Sequence, residues 1–154
     1  MAIERPAILI KACVPLSDLL ALFPAGWRPH PQSFFMIRDG PMTPAPPLSP
    51  EYQLSIAADG PTITARVCSG GITAASGRAV NHAGLTVYDQ IVTYPSHRRR
   101  GLGTAIMLAL EAAMGGTDPQ VLTATVAGEA LYTTLGWRTL ALWSTAELGS
   151  TAEH

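Results

Sequence analysis

Between residues 52 and 93 the chain alternates polar and apolar side chains in short runs, each stopped by a turn signal. "YQLSIA" gives way to Asp59-Gly60-Pro61, "TITARVCS" to Gly70-Gly71, and "ITAASGRAV" to Asn81-His82-Ala83-Gly84, after which "LTVYDQIVT" follows. A period of two with this punctuation predicts an antiparallel meander of three or four strands. Half-buried strands expose alternate residues, and glycine-containing two-residue turns close hairpins. Beyond Pro95 the period changes. Leu102, Ile106, Ala109, Leu110 and Ala113 recur at helical spacing, and "GGTDP" at 115–119 ends that helix.

Downstream, "VLTATV" reads as a strand, "AGEALYTTLG" as a short helix closed by Gly136, and "WRTLALWST" as a last strand. A helix between the fourth meander strand and "VLTATV" makes those two strands parallel neighbours through a right-handed crossover. The fold class is therefore α/β with a mixed sheet: an antiparallel meander followed by β-α-β-α-β. Upstream, residues 7–14 predict a strand, 16–23 a helix and 32–40 another strand. The eleven residues 40–50 hold five prolines and predict an extended connector. "ILIKACVPLSDLLALFPAGW" and "VLTATVAGEALYTTLGW" echo each other, as chance or as a duplication. At 154 residues one domain is expected, with 1–50 an atypical β-α-β segment and connector and 51–146 the core.

Hydrophobic residues make up 47% of the chain and charged ones 14%, which excludes disorder. A net charge of −1 supplies no global field toward nucleic acid or an anionic membrane, so neither partner is expected. The N-terminal apolar run is too short to span a bilayer and lacks a signal-peptide layout, which points to a soluble, cytoplasmic protein. Cys13 and Cys68 stand far apart without a CxxC pair and read as reduced core thiols. No spacing of His, Cys or Asp suggests a metal site.

The most unusual stretch is "HRRRGLGTAIM", residues 97–107. A strand delivers the chain to Pro95 and a helix opens at about Leu102. Free N–H groups at that helix start, with glycine alongside, suit a pyrophosphate. A P-loop is excluded because the only lysine is Lys11, and "GLGTAI" lacks the third glycine of a dinucleotide fingerprint. What remains is R-x-x-G-x-G, carried by Arg98, Gly101 and Gly103.

In this setting "VYDQIVTYPSHRRRGLGTAIMLALEAA" resembles the central motif of the GNAT superfamily of acyl-CoA N-acyltransferases. "GEALYTTLGW" is similar to that superfamily's second signature, and the resemblance covers about residues 62–144. It implies a GNAT-like fold and acetyl-CoA as co-substrate, attacked directly by an amine. Pantetheine would pair with the backbone of Ile91, Val92 and Thr93, with a backbone N–H near Val92 as oxyanion donor. Arg98, Arg99, Arg100, Gly101, Leu102, Gly103 and Thr104 would hold the pyrophosphate. Thr125 falls where many relatives carry asparagine at the pantetheine. Tyr132 matches the tyrosine that often protonates the leaving thiolate, and is the candidate general acid.

Asp89 shares a strand face with Leu85, Val87 and Ile91, which predicts partial burial. A proton acceptor for the amine and a partner for Arg78 are equal readings of it. No nucleophile elbow and no Cys–His pair points to a covalent route. The chain departs from the superfamily at Asp59-Gly60, where a turn replaces acceptor-binding helices, and in having one strand after the second helix. A neighbouring subunit, as in a homodimer, is one way to complete the sheet. The expected activity is N-acetylation of a small-molecule or peptide amine. An inactive acyl-CoA-binding sensor or partner subunit is the alternative, and an anion-binding module without acyl chemistry a third.

Overall fold

A computed structural model describes residues 7–116 and 119–149. Its elements are β1 (Ile8–Ala12), α1 (Leu16–Ala21), β2 (Trp27–Pro29), β3 (Ser33–Arg38), β4 (Tyr52–Asp59), β5 (Thr62–Ser69), β6 (Ile72–His82) and β7 (Leu85–Thr93). A one-turn 3-10 helix (Pro95–His97) then leads to α2 (Leu102–Met114), β8 (Gln120–Ala124), α3 (Val126–Thr134) and β9 (Arg138–Leu148). The fold is mixed α/β. Its internal contacts gather into two compact units: residues up to 36 with 123–129 and those from 139, and residues 37–122 with 130–138.

The larger unit holds the expected meander. β4 pairs β5, β5 pairs β6 and β6 pairs β7, all antiparallel. β8 then lies parallel to β7, as a crossover through α2 requires. Gly70 and Gly71 both have positive φ in a two-residue turn, the geometry that matches strand twist.

The apolar stripe of α2 buries Leu102, Ile106, Met107 and Leu110 completely or nearly so. The buried residues of β5 and β6 are small or medium: Ala65, Val67, Ala74, Ala75 and Ala79, with Gly77 among them. A Cβ at Gly77 would stand 2.5 Å from Ile91 Cδ1 and 2.7 Å from Ile106 Cγ2, so helix and sheet meet here because the side chain is missing.

The connector carries no helix or strand, as expected, yet it is pinned to its own unit. Met42 is buried, and its N–H points to both carboxylate oxygens of Glu111, at 2.9 and 3.0 Å. Gln120 Nε2 donates to Glu111 Oε1 (2.9 Å) and to the Gly40 carbonyl (3.3 Å). Arg38 donates to the carbonyls of Gly136 (2.7 Å) and Pro41.

In the smaller unit, β1 and β2 both pair antiparallel with β9. The strand β2 was not expected from the sequence, where Gly26 and the prolines around it read as the end of a helix. Phe23 stacks on Trp27 with centroids 4.5 Å apart, and Leu19 and Ala146 are buried. The sequence echo has a structural counterpart. Each copy is strand, helix, a glycine of positive φ (Gly26 +108°, Gly136 +89°), tryptophan and strand.

Both cysteines are free, but the reading of them as core thiols fails. Cys13, in the bend just after β1, is exposed and Cys68, on β5, half-buried. α2 ends at Gly115 in the left-handed region. The remaining stop signals, Thr117 and Asp118, lie outside the described residues, as do the first six and the last five residues of the chain.

Candidate functional site

Strand β7 changes phase halfway along. Its ladder with β6 matches Arg78 to Asp89 and Ser76 to Val92, so Gln90 and Ile91 together oppose Gly77 alone. Gln90 holds φ at +53°, which is a β-bulge. Before it, Thr86 and Tyr88 face the buried side. After it, Ile91 turns to that side, against Gly77 and Ile106, while Val92 is 43% exposed. The expectation that Asp89 and Ile91 share a face is thereby corrected.

Asp89 is not partly buried. Its side chain is 63% exposed and accepts a hydrogen bond from Arg78 Nη2 at 3.0 Å. Of the two sequence readings, the ion pair is the one present.

The ladder between β7 and β8 runs only through Thr86↔Gln120 and Val87↔Val121. Beyond Val87, the β7 backbone has no ladder partner on that side among the described residues. The Tyr94 N–H is spent on the Ala74 carbonyl of β6 at 2.9 Å. Val92, two residues earlier and opposite Ser76, therefore turns its backbone groups to β6 as well. It is Thr93 that turns its N–H to the open side, where an extended ligand could pair.

After Thr93 the chain makes the one-turn helix, an extended Arg98, Arg99 at φ +63° and Gly101 at φ +75°. Gly101 is the N-cap of α2 and supplies no side-chain hydrogen bond. The first helical bond runs from the Ala105 N–H to the Gly101 carbonyl at 3.0 Å. The amides of Leu102, Gly103 and Thr104 thus lack an intrahelical acceptor and carry the positive end of the helix dipole. Gly101 has open space where a Cβ would stand, so φ is what selects glycine there.

Gly103 differs. Its Cβ would come within 2.9 Å of Leu131 Cδ2. The close approach it permits is to α3, rather than to a ligand as glycine in this motif suggests.

The three arginines divide. All three are exposed, and Arg98 Nε reaches the Thr93 carbonyl at 3.4 Å. Arg100 Nη1 instead donates to Glu51 Oε1 and to Tyr52 Oη, both at 3.2 Å.

Tyr132 is 6% exposed, and burial pushes its hydroxyl up to about 12. Its ring lies 6.2 Å from Trp137, which meets Tyr88 edge-on at 5.5 Å. Burial first, and the nearby Glu111 carboxylate second, also raise the Tyr88 hydroxyl. Tyr88 Oη and Trp137 Nε1 are buried without a hydrogen-bond partner among the described residues. Sequence reading missed Tyr88, since an aromatic at a strand's buried position signals core alone.

Thr125 belongs to the smaller unit. Its hydroxyl accepts from the Gly128 N–H at 3.1 Å and its carbonyl from the Glu129 N–H at 2.8 Å, making it the N-cap of α3. Among the described residues no group of three or more His, Cys, Asp and Glu is placed to hold a metal ion, and no helix is long and apolar enough to cross a membrane.

Neither a scan of family models nor a sequence search of curated proteins finds a match to the chain. Solved structures do match. A putative GNAT-family acetyltransferase from Novosphingobium aromaticivorans is similar over 95% of this chain and 75% of its own, with TM-score 0.69 and 19% identity. A GCN5-related N-acetyltransferase from Kribbella flavida matches over 90% of this chain, with TM-score 0.61 and 15% identity. One from Sphaerobacter thermophilus matches over 92%, with TM-score 0.64 and 13% identity. This chain spans 64% and 59% of those last two. The chain therefore has the GNAT fold, as its two sequence signatures implied. At such identities the likeness is one of fold.

Proposed function

We propose that the chain binds acetyl-CoA and transfers its acetyl group to a primary amine by direct attack on the thioester. One observation carries this reading. An uncapped helix N-terminus with free amides follows, within one loop, a strand whose second half has no ladder partner on one side among the described residues. The first suits a pyrophosphate and the second an amide-rich pantetheine arm. The amides of residues 99–104 hold the pyrophosphate, and the exposed Arg98 and Arg99 side chains add charge toward further phosphates. Within the stretch Ile91–Thr93, Thr93 pairs with pantetheine through its backbone. A backbone N–H near Val92 stabilises the oxyanion, where one such donor contributes about 3–4 kcal/mol.

The thioester supplies an activated acyl group, and the chain's own groups manage protons. A phenol at about 12 is a weaker acid than a thiol near 8.5, so full transfer to the thiolate is uphill by about 5 kcal/mol. Tyr132 accordingly acts as a neutral hydrogen-bond donor to the developing thiolate, and yields its proton only where that thiolate is desolvated and more basic. Asp89, on the opposite face in its pair with Arg78, is assigned no proton from the acceptor. The amine arrives neutral or loses its proton to water. We place the reaction in the cytoplasm, where Cys13 and Cys68 stay reduced.

Release of free thiol from acetyl-CoA in the presence of a panel of primary amines tests the reading. Amine-dependent release is expected. Binding of acetyl-CoA without release for any amine favours the second reading, an acyl-CoA sensor, which the exposed, paired state of Asp89 supports.

A further inference from the structure

The loop between Thr93 and α2 holds its shape against its own preferences. Arg99 occupies the left-handed region, which costs a residue with a Cβ roughly 1–2 kcal/mol. Its one-turn helix is closed by a normal bond from the His97 N–H to the Tyr94 carbonyl at 2.9 Å. The bonds at Arg98, next to the strained residue, are long: its N–H reaches the Pro95 carbonyl and its Nε the Thr93 carbonyl, both at 3.4 Å. Something outside the loop must select this conformation.

We infer that Tyr52, the first residue of β4, is a positioning residue for the pyrophosphate loop, a role that rests on the acetyl-CoA reading above. Tyr52 is 7% exposed, and β4–β5 pairing fixes its backbone opposite Ser69. Its hydroxyl reaches two loop residues. His97 Nδ1 stands 3.0 Å away, and Arg100 Nη1 donates to it at 3.2 Å. The Tyr52 and His97 rings meet edge-on with centroids 5.8 Å apart.

Donor arithmetic orders this chain. A guanidinium only donates, so Tyr52 Oη accepts from Arg100 and has its own proton to offer to His97 Nδ1 at 3.0 Å. His97 is then held as the tautomer with hydrogen on Nε2. Arg100, with Glu51 at 3.2 Å as its second acceptor, is tied to β4. Its part in cofactor binding is to fix the loop, while Arg98 and Arg99 supply the side-chain charge. Residues 97 and 100 bracket Arg98 and Arg99, so one hydroxyl clamps the stretch that presents the loop amides.

The test is Tyr52→Phe, which keeps the ring and removes the clamp. Calorimetry with CoA is expected to show about tenfold weaker binding, the equivalent of one charge-assisted hydrogen bond. The KM for acetyl-CoA should rise with it, kcat should stay within about twofold, and the melting temperature should hardly move. Histidine 15N shifts should show a single His97 tautomer in the wild type and a mixture in the variant, and amides 97–103 should exchange faster. Unchanged CoA affinity in the variant overturns the inference, as does an unchanged His97 tautomer. If wild-type protein binds no CoA, the acetyl-CoA reading fails, and the tautomer and amide exchange still decide whether Tyr52 sets the loop.

Discussion

Asp89 and Ile91 stand two residues apart on β7 yet face opposite sides of its sheet, because Gln90 between them is a bulge residue at φ +53°. In an unbroken strand they would share a face. The bulge sends Asp89 to Arg78 and solvent, and Ile91 to Gly77 and α2. It also sets the direction of the Val92–Thr93 backbone, on which the proposed pantetheine pairing depends.

Gly77 is the seat of that bulge. A Cβ there would meet Ile91 Cδ1 at 2.5 Å and the branched Ile106 Cγ2 at 2.7 Å. Gly77→Ala is expected to cost about 1–3 kcal/mol by overpacking, read as a lower urea midpoint at unchanged m-value. The double variant Gly77→Ala/Ile91→Ala should recover part of that loss.

Asp89 gives a prediction about chemistry. Asp89→Asn should leave kcat/KM for the amine within about twofold and its pH profile unshifted. A general base contributes roughly 10²–10⁴ in rate, so a fall of a hundredfold would restore Asp89 to the mechanism. In a double-mutant cycle, the exposed pair with Arg78 should show a coupling of about 1 kcal/mol or less.

Stability should fall in alkali through Tyr132. Its hydroxyl is raised from 10.0 to about 12 on folding, so the folded state holds its proton more tightly than the unfolded state does. Below pH 10 both states are protonated and nothing is lost. From pH 10 to 12 only the unfolded state deprotonates, which removes about 2–3 kcal/mol. Tyr88, raised in the same direction, steepens the loss. Denaturant titrations across pH 9–12 measure it, and Tyr132→Phe should flatten the curve.

Glu111 should prove structural. Glu111→Ala strands the Met42 N–H and the Gln120 amide in a buried site, at a cost of about 2–4 kcal/mol. Limited proteolysis should then cut within the proline-rich connector at 40–50, which Met42 no longer ties down. Resistance equal to wild type would show that the connector is held elsewhere.

The meander, the helix after Pro95 and the uncapped turn at Gly101 were legible in the sequence, because period, turn residues and a missing cap are local properties. The bulge was not. Gln90 carries no glycine or asparagine to announce a left-handed residue, and only the opposing Gly77, thirteen positions earlier in the chain, makes room for the turned Ile91. That non-local pairing misplaced Asp89. Likewise "HRRRG" sets Arg98 apart as the motif's arginine but does not distinguish Arg99 from Arg100, whereas Tyr52, far upstream, holds Arg100 by its hydroxyl. The short strand β2 escaped notice because a three-residue strand has too few residues to show a period.

The most direct measurement of the account is calorimetric titration of the whole chain with CoA and, separately, with pantetheine, which shares the arm and lacks the pyrophosphate. Saturable binding of CoA, with pantetheine at least a hundredfold weaker, is the predicted result. Equal affinity for the two would contradict the assignment of the α2 amides to the pyrophosphate, and no binding of either would remove the acyl-CoA site altogether.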